Sequence, residues 1–355
     1  LGSDPAEWVA TDNVNGGITL SSNGVYLGSA TANYDMLRSY KGESTLASGV
    51  YFFAVNVPKP VDPEDLPTAS DIFFAIDFGS SMTVNALIPM EVLDSFDSYS
   101  VKLSAEGREP VVLTSGGNYL DTYYEFAYAN LTVLDIAKTV NVELTVTKDG
   151  QSYTTTDQKS ILSFCETAIA NSPSDAEPCA FLLQYAKAAA AYKGVEGVEV
   201  SAAAQSIIDG SSLKDALPGE AIRERENGQQ ISFLGQSLDM TARIAINFHI
   251  DLYNYAGDVN ALTFDVNGKG YRFEDLEDDG DGIYVLSYSD FDATEMSEPA
   301  KCTVKVDGQV EAWYETSVER YCRGTLNNTE NEATMIELAK CIYRYGAACA
   351  KAYGN

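Results

Sequence analysis

The sequence predicts an α+β protein: two related units, each a mainly antiparallel sheet or sandwich followed by a helical pair, preceded by a β-rich N-terminal segment. Three observations predict it. The chain matches itself in four successive blocks, hydrophobic residues alternate with period two ahead of each matched end, and each match closes on a helix with an apolar stripe. The expected stretches are 1–70, 71–194, a connector 195–229, and 230–355. With 355 residues, 45% of them hydrophobic, the chain is long enough for two or three domains, each expected to have its own core.

Residues 1–70 contain "GGITLSSNGVYLGSATANYDMLRSYKGESTLASGVYFFAVNVP", rich in Gly, Ser, Tyr and β-formers with closely spaced turn signals, which suggests a small sheet ending at "PKPVDPEDLP". The first repeat block then pairs "FFAIDFGSSMTVNALIPMEV" from Phe73 with "FLGQSLDMTARIAINFHIDL" from Phe233. In the second, "YYEFAYANL" falls on "IYVLSYSDF", setting Tyr124 on Tyr284 and Tyr128 on Tyr288. In the third, "VNVELTVTKDGQ" falls on "EPAKCTVKVDGQ". Here Val142, Leu144 and Val146 alternate with polar neighbours, as a strand with one buried face requires, and Asp149-Gly150 and Asp307-Gly308 supply hairpin turns. The fourth block sets "SILSFC" on "SVERYC", predicting short helices over about 160–171 and 317–326. Phe181, Leu182, Tyr185, Ala188, Ala189 and Tyr192 then form one helical stripe, and Tyr185 meets Tyr345 in the other copy. Gly194 and Gly354 stand where helix C-caps belong. The connector reads as polar, with a short helix-like patch.

Composition removes several functions. A net charge of −29, from 52 acids against 23 bases, argues against a nucleic-acid partner, whose binding relies on clustered Lys and Arg. No apolar run approaches the roughly 20 residues a membrane helix needs, so no membrane insertion is expected. The six cysteines show no C-x-x-C pair and have no His nearby, against zinc. Cys302 takes the slot of Leu144, and Cys341 that of Phe181, so free buried thiols are expected. The single histidine, His249, lies in an apolar strand pattern and reads as structural. "FGSS" around Ser80 is a turn, and with no nucleophile motif, metal cluster or phosphate loop the chain is not expected to be an enzyme.

Two patterns remain as candidate sites. In "EDDGDG", Glu277, Asp279, Asp281 and Gly282 occupy the first, third, fifth and sixth places of a calcium loop, while Tyr288 stands where the bidentate Glu belongs. A weak Ca2+ site is the one cofactor the sequence admits. The second pattern is aromatic. Tyrosine outnumbers phenylalanine, 22 to 14, and offers a flat apolar face with a polar tip, suited to stacking on sugar rings. The tyrosines shared by both copies read as core. Those outside the repeat, Trp8, Tyr26, Tyr34, Tyr40 and Tyr51, and the Trp313-Tyr314 pair are the expected ligand-binding residues.

The order of the apolar "NF" strand, "DATEMSEPAKCTVKVDGQ", "YETSVERYC" and the closing "LAKCIYRYGAACAKAY" resembles a repeat of large secreted and cell-surface modular proteins from gut Firmicutes, notably ruminococci and clostridia. Their last helix typically reads like L-x-K-A-M-L-N-Y-G-A-x-A-Q-x-Y-F. The likeness covers roughly 71–194 and 230–354; "YAKAAAAY" in the first copy departs from the Tyr-Gly pair, and residues 1–70 match nothing in it. It implies an exported, modular, non-catalytic protein, and brings no ligand or site residues. The expectation is a secreted or cell-surface protein that holds a polysaccharide or oligosaccharide, a neutral plant glucan such as starch. The alternative is an adhesin or scaffold module that binds a protein partner.

Overall fold

The computed structural model describes residues 61–219 and 223–354, and the backbone of four strands nearer the N-terminus. It is a mixed α/β protein whose sheets are antiparallel, and the chain divides into two compact units, Leu1–Pro60 and Val61–Asn355. The first carries a four-stranded meander, β1 (Val9–Asp12), β2 (Ile18–Ser22), β3 (Val25–Gly28) and β4 (Arg38–Tyr40), each strand paired with the next.

The second unit begins with eight strands: β5 (Phe73–Phe78), β6 (Met82–Pro89), β7 (Ser98–Ala105), β8 (Val111–Leu113), β9 (Gly117–Tyr119), β10 (Tyr123–Leu131), β11 (Val140–Lys148) and β12 (Gln151–Lys159). A single-turn helix, α1 (Met90–Leu93), lies between β6 and β7, and the helices α2 (Ile161–Asn171) and α3 (Ala176–Lys193) follow β12. The strands form two sheets, β5-β6-β10-β9 and β12-β11-β7-β8. Alternation along β11 buries Val140, Val142, Leu144 and Val146, and rings of β7 and β10 meet across the sheets where Tyr99 packs on Tyr124 and Phe126. Ser160 starts α2 by accepting a hydrogen bond from Ser163 N at 3.0 Å, and Gly194, at φ 65°, ends α3 in the left-handed region.

The chain continues through α4 (Ala202–Gly210) and β13 (Glu224–Glu226) into eight further strands: β14 (Ser232–Asp239), β15 (Ala245–Asp251), β16 (Thr263–Val266), β17 (Lys269–Arg272), β18 (Glu277–Gly280), β19 (Ile283–Tyr288), β20 (Ala300–Val306) and β21 (Gln309–Thr316). Helices α5 (Val318–Asn327) and α6 (Ala333–Tyr353) close the chain. The sheets are β14-β15-β19-β18 and β13-β21-β20-β16-β17, so apart from β13 the strand order repeats that of the first eight. Both Asp-Gly turns, 149–150 and 307–308, take positive φ at each residue, the conformation that a two-residue hairpin loop demands.

Four expectations change here. The connector is not a passive link: Ala204 and Ile208 of α4 are buried in the same core as α3, and β13 pairs with β21 and extends its sheet. Among the described residues of the second unit the two expected repeats do not keep separate cores, since one continuous apolar cluster runs from Ile72 to Cys349. Helix α3 is buried well beyond one stripe, because α2, α4 and α6 all pack against it and its alanines let them come close; Tyr192 is left at the surface. Gly354 follows α6 in an extended conformation, φ −65° and ψ 132°, and is not a left-handed cap.

The first repeat block also slips. Strand pairing sets Tyr128 opposite Val84 and Tyr288 opposite Ile246. With Tyr128 on Tyr288, Val84 therefore corresponds to Ile246, two residues beyond the ungapped match. A slip of two leaves inward and outward positions unchanged, so hydrophobic pattern does not detect it.

The two halves meet through α3 and α6, where Tyr185 and Tyr345 stack with centroids 5.8 Å apart. At the Ser80 turn, Ile244 N donates to Ser80 O at 2.7 Å and Ser80 Oγ donates to Ser289 O at 2.5 Å. All six cysteines are buried and unbridged. Among the described residues no helix is long and apolar enough to cross a membrane.

Candidate functional site

The expected ligand-binding residues fall in both compact units, and only some of them are described. Trp8, Tyr34 and Tyr51 lie outside the described residues. Tyr26 and Tyr40 are placed by backbone alone, in register opposite each other on β3 and β4. Trp313 and Tyr314 are neighbours on β21, so they point to opposite faces of the sheet. Trp313 is half-buried on the outer face, its Nε1 donating to Glu226 Oε2 at 3.0 Å and Lys301 Nζ standing 4.0 Å from its ring centroid. One ring face is thus already occupied. Tyr314 turns inward, is 1% exposed, stacks on Phe233 at 5.7 Å and meets Phe248 edge-on. Its ring is core, with no free face for stacking on a sugar.

The "EDDGDG" stretch forms the β18–β19 hairpin. Gly280, Asp281 and Gly282 all take positive φ, so its acidic-glycine pattern serves a turn. Glu277, Asp279 and Asp281 are exposed, and Asp279 Oδ2 lies 3.7 Å from His249 Nδ1. The three carboxylates do not converge: among the described residues, no three His, Cys, Asp or Glu side chains are placed to share an ion.

A site that sequence reading missed lies between β14 and the α5–α6 corner. There, an open cleft of about 350 Å3 is lined by Arg223, Gln236, Arg320, Tyr321, Asn328 and Asn331, with Leu234, Thr325 and Met335 beside them. Local structure explains the opening. Register shifts between Phe233 and Gly235 as β14 pairs with β15, and the bulge leaves Leu234 49% exposed at the rim. Asn227 Oδ1 accepts from Phe233 N at 3.0 Å and Arg225 Nη1 donates to Phe233 O at 2.9 Å, which fixes the strand ahead of the bulge. Ser317 caps α5 and so aims its first turns along the cleft. Asn331 Nδ2 donates to Thr325 O at 2.9 Å and holds the α5–α6 corner.

Charge in the cleft runs opposite to that of the molecule. The Arg223 guanidinium sits 5.5 Å from the Tyr314 ring centroid, and Arg320 lies along α5 where the missing side chain of Gly324 leaves it room, 3.3 Å from where a Cβ would stand. Neither guanidinium has a carboxylate partner among the described residues. Gln236 Oε1 is shielded from solvent and lacks a hydrogen-bond donor. Burial pushes the Tyr321 hydroxyl above its usual pKa, so it stays protonated and able to donate. A second open cleft of similar volume, around the Ser80 turn, differs in kind. It gathers Asp77, Asp290, Asp292 and Glu295, but Asp77 accepts from Asn85, Asp290 pairs with Lys269, and Glu295 caps the Asp292 backbone. Those carboxylates are engaged in local structure, whereas the two guanidiniums of the first cleft have no carboxylate partner among the described residues.

The signal for the first cleft was present in the sequence. Of nine arginines, Arg223 and Arg225 stand two apart, and Arg320 and Arg323 three apart, in a chain that is otherwise strongly acidic. About 95 residues separate the pairs, and only β13 pairing with β21 brings them near each other. Compared with known proteins, the chain matches no family model and no curated protein.

Proposed function

We propose that this chain is a non-catalytic glycan-binding protein, built from two copies of one sheet-and-helix-pair unit and working outside the cell or at its surface. The observation that carries the reading is the cleft at the α5–α6 corner. Planar amides and guanidinium groups, a tyrosine and a few apolar side chains line a shallow opening, and sugar rings ask for that mixture: hydrogen-bonding partners at the edge and apolar contact at the face. The repeated strand order supports the duplication. Likeness to exported repeats of gut Firmicutes supports the location. The four-stranded N-terminal meander, with Tyr26 opposite Tyr40, is a second surface on which a glycan could be held.

The test is affinity electrophoresis through gels containing soluble starch, xylan, mannan or pectin, with a pull-down on the insoluble polysaccharides. Retardation by at least one glycan, reduced in Tyr321→Ala and unchanged in Lys102→Gln on the first half, is expected. If no glycan retards the protein, the reading is dropped in favour of the adhesin or scaffold alternative.

A further inference from the structure

The expectation of a neutral glucan rested on the charge of the whole chain, but a ligand responds to the charge near it. Resting on the glycan-binding reading above, we propose that the cleft between β14 and the α5–α6 corner selects an acidic sugar, a hexuronate residue of a polysaccharide, through Arg223 and Arg320.

The argument begins with what the protein withholds. Carboxylates outnumber cations by more than two to one, yet two guanidiniums line one cleft with no carboxylate paired to either among the described residues. Ion pairs form elsewhere, Arg108 and Lys138 with Asp135, Lys187 with Glu199 and Lys351 with Glu177, but among the described residues most arginines have none; what sets Arg223 and Arg320 apart is that both line one opening with no acidic residue in its wall. Two like charges lining one opening repel, and a bound carboxylate relieves that repulsion while accepting the paired N–H bonds for which the guanidinium fork is shaped. Arg323, three residues along α5 from Arg320, donates through Nη1 to Pro218 O at 3.2 Å and also has no carboxylate partner among the described residues.

The remaining groups say what kind of anion. A bare phosphate or sulfate offers chiefly acceptors, and would use only the N–H side of the amides that line the cleft. A hexuronate carries one carboxylate and several hydroxyls, and each hydroxyl both donates and accepts. Beyond the local bonds by which Asn328 and Asn331 hold the α5–α6 corner, each amide keeps a second N–H and a second lone pair for a hydroxyl, and Tyr321 supplies an aromatic surface beside them. An acidic peptide would satisfy the arginines as well, but its side chains and backbone bring few hydroxyls for those amides to hold.

The test titrates the whole chain calorimetrically with four probes: trigalacturonic acid, its methyl ester, maltotriose and a triglutamate peptide. The ester keeps the sugar hydroxyls and loses only the charge. The expected result is binding of the acid, with the ester weaker by tenfold or more. Arg223→Gln and Arg320→Gln each weaken the acid by about tenfold to a hundredfold, the range of a lost charge-assisted hydrogen bond, and barely alter the ester. Arg320→Lys, which keeps the charge and loses the fork, falls between. Acid against ester needs no variant, so that comparison holds even if a substitution disturbs folding. If acid, ester and maltotriose bind alike, the glycan reading stands and selection for acid is overturned. If triglutamate binds as tightly as trigalacturonic acid, selection for a sugar is overturned. If none of the probes binds, the cleft is not a glycan site and both readings fail.

Discussion

Tyr185 and Tyr345 occupy matching places in the two halves and stack on each other, yet removing their hydroxyls should have opposite effects. Tyr185 Oη donates to Met240 O at 2.9 Å in the buried core. The Tyr345 hydroxyl is buried as completely, and finds no oxygen or nitrogen partner; its one polar neighbour is the Cys349 thiol, a weak donor and acceptor. A made hydrogen bond contributes about 1 kcal/mol net, and a buried group left without a partner costs about 1–3 kcal/mol. Tyr185→Phe deletes the bond and orphans the Met240 carbonyl, a loss of about 1–2 kcal/mol. Tyr345→Phe deletes a buried hydroxyl that only a weak thiol partner offsets and keeps the ring stack, a gain of about 0.5–1 kcal/mol. For a unit of this size the Tm should fall by about 3 °C in the first variant and rise by about 2 °C in the second. Differential scanning fluorimetry, checked by urea midpoints, reads both. If the two variants shift in the same direction, the assignment of partners at the α3–α6 contact is wrong.

Three further outcomes follow from the geometry. A Cβ at Gly346 would stand 2.7 Å from Met296 Sδ and 3.1 Å from Met296 Cβ, so Gly346→Ala should lose about 1–2 kcal/mol in urea unfolding although alanine is the better helix former. Asp135 is 6% exposed, and although burial pushes its carboxyl up, Lys138, the Thr132 amide and hydroxyl, and Arg108 together hold it down, from 3.8 to about 2. Because the folded value is the lower one, this stabilisation is full above pH 3.8 and lost as pH falls through about 2. With a partly exposed lysine as one partner it contributes about 1–2 kcal/mol, and the urea-midpoint gap between the wild type and Asp135→Asn should close across that window. Burial pushes the Cys322, Cys341 and Cys349 thiols to about 12 and that of Cys302 higher still, so a thiol reagent should label the native protein far more slowly than the unfolded one, which should then titrate all six.

Much of this protein was legible along the chain because the forces concerned act over a few residues. Asp149-Gly150 and Asp307-Gly308 announce their hairpins because only a short polar residue and a glycine take positive φ cheaply. The alternation of Val142, Leu144 and Val146 declares a half-buried strand, and Ser160 and Ser317 declare helix starts by supplying an oxygen to the first unpaired amides. The repeated strand order was legible for the same reason, since each local signal occurs twice in the same order.

What only the tertiary structure decided is what depends on which distant segments meet. Strand register escaped the sequence, because a two-residue slip preserves every inward and outward position. Trp313 and Tyr314 read as one aromatic pair, and the pleat sends one outward under Lys301 and the other into the core against Phe233. The "EDDGDG" pattern was shared by a calcium loop and a hairpin turn, and the backbone takes the turn. The cleft depends most on assembly: a β-bulge at Leu234, arginines about 95 residues apart and the α5–α6 corner have no local reason to be neighbours. Residue identity along the sequence determined which groups could bind a charge or a sugar; pairing of β13 with β21 and packing of α5 on β14 determined which of them share one opening.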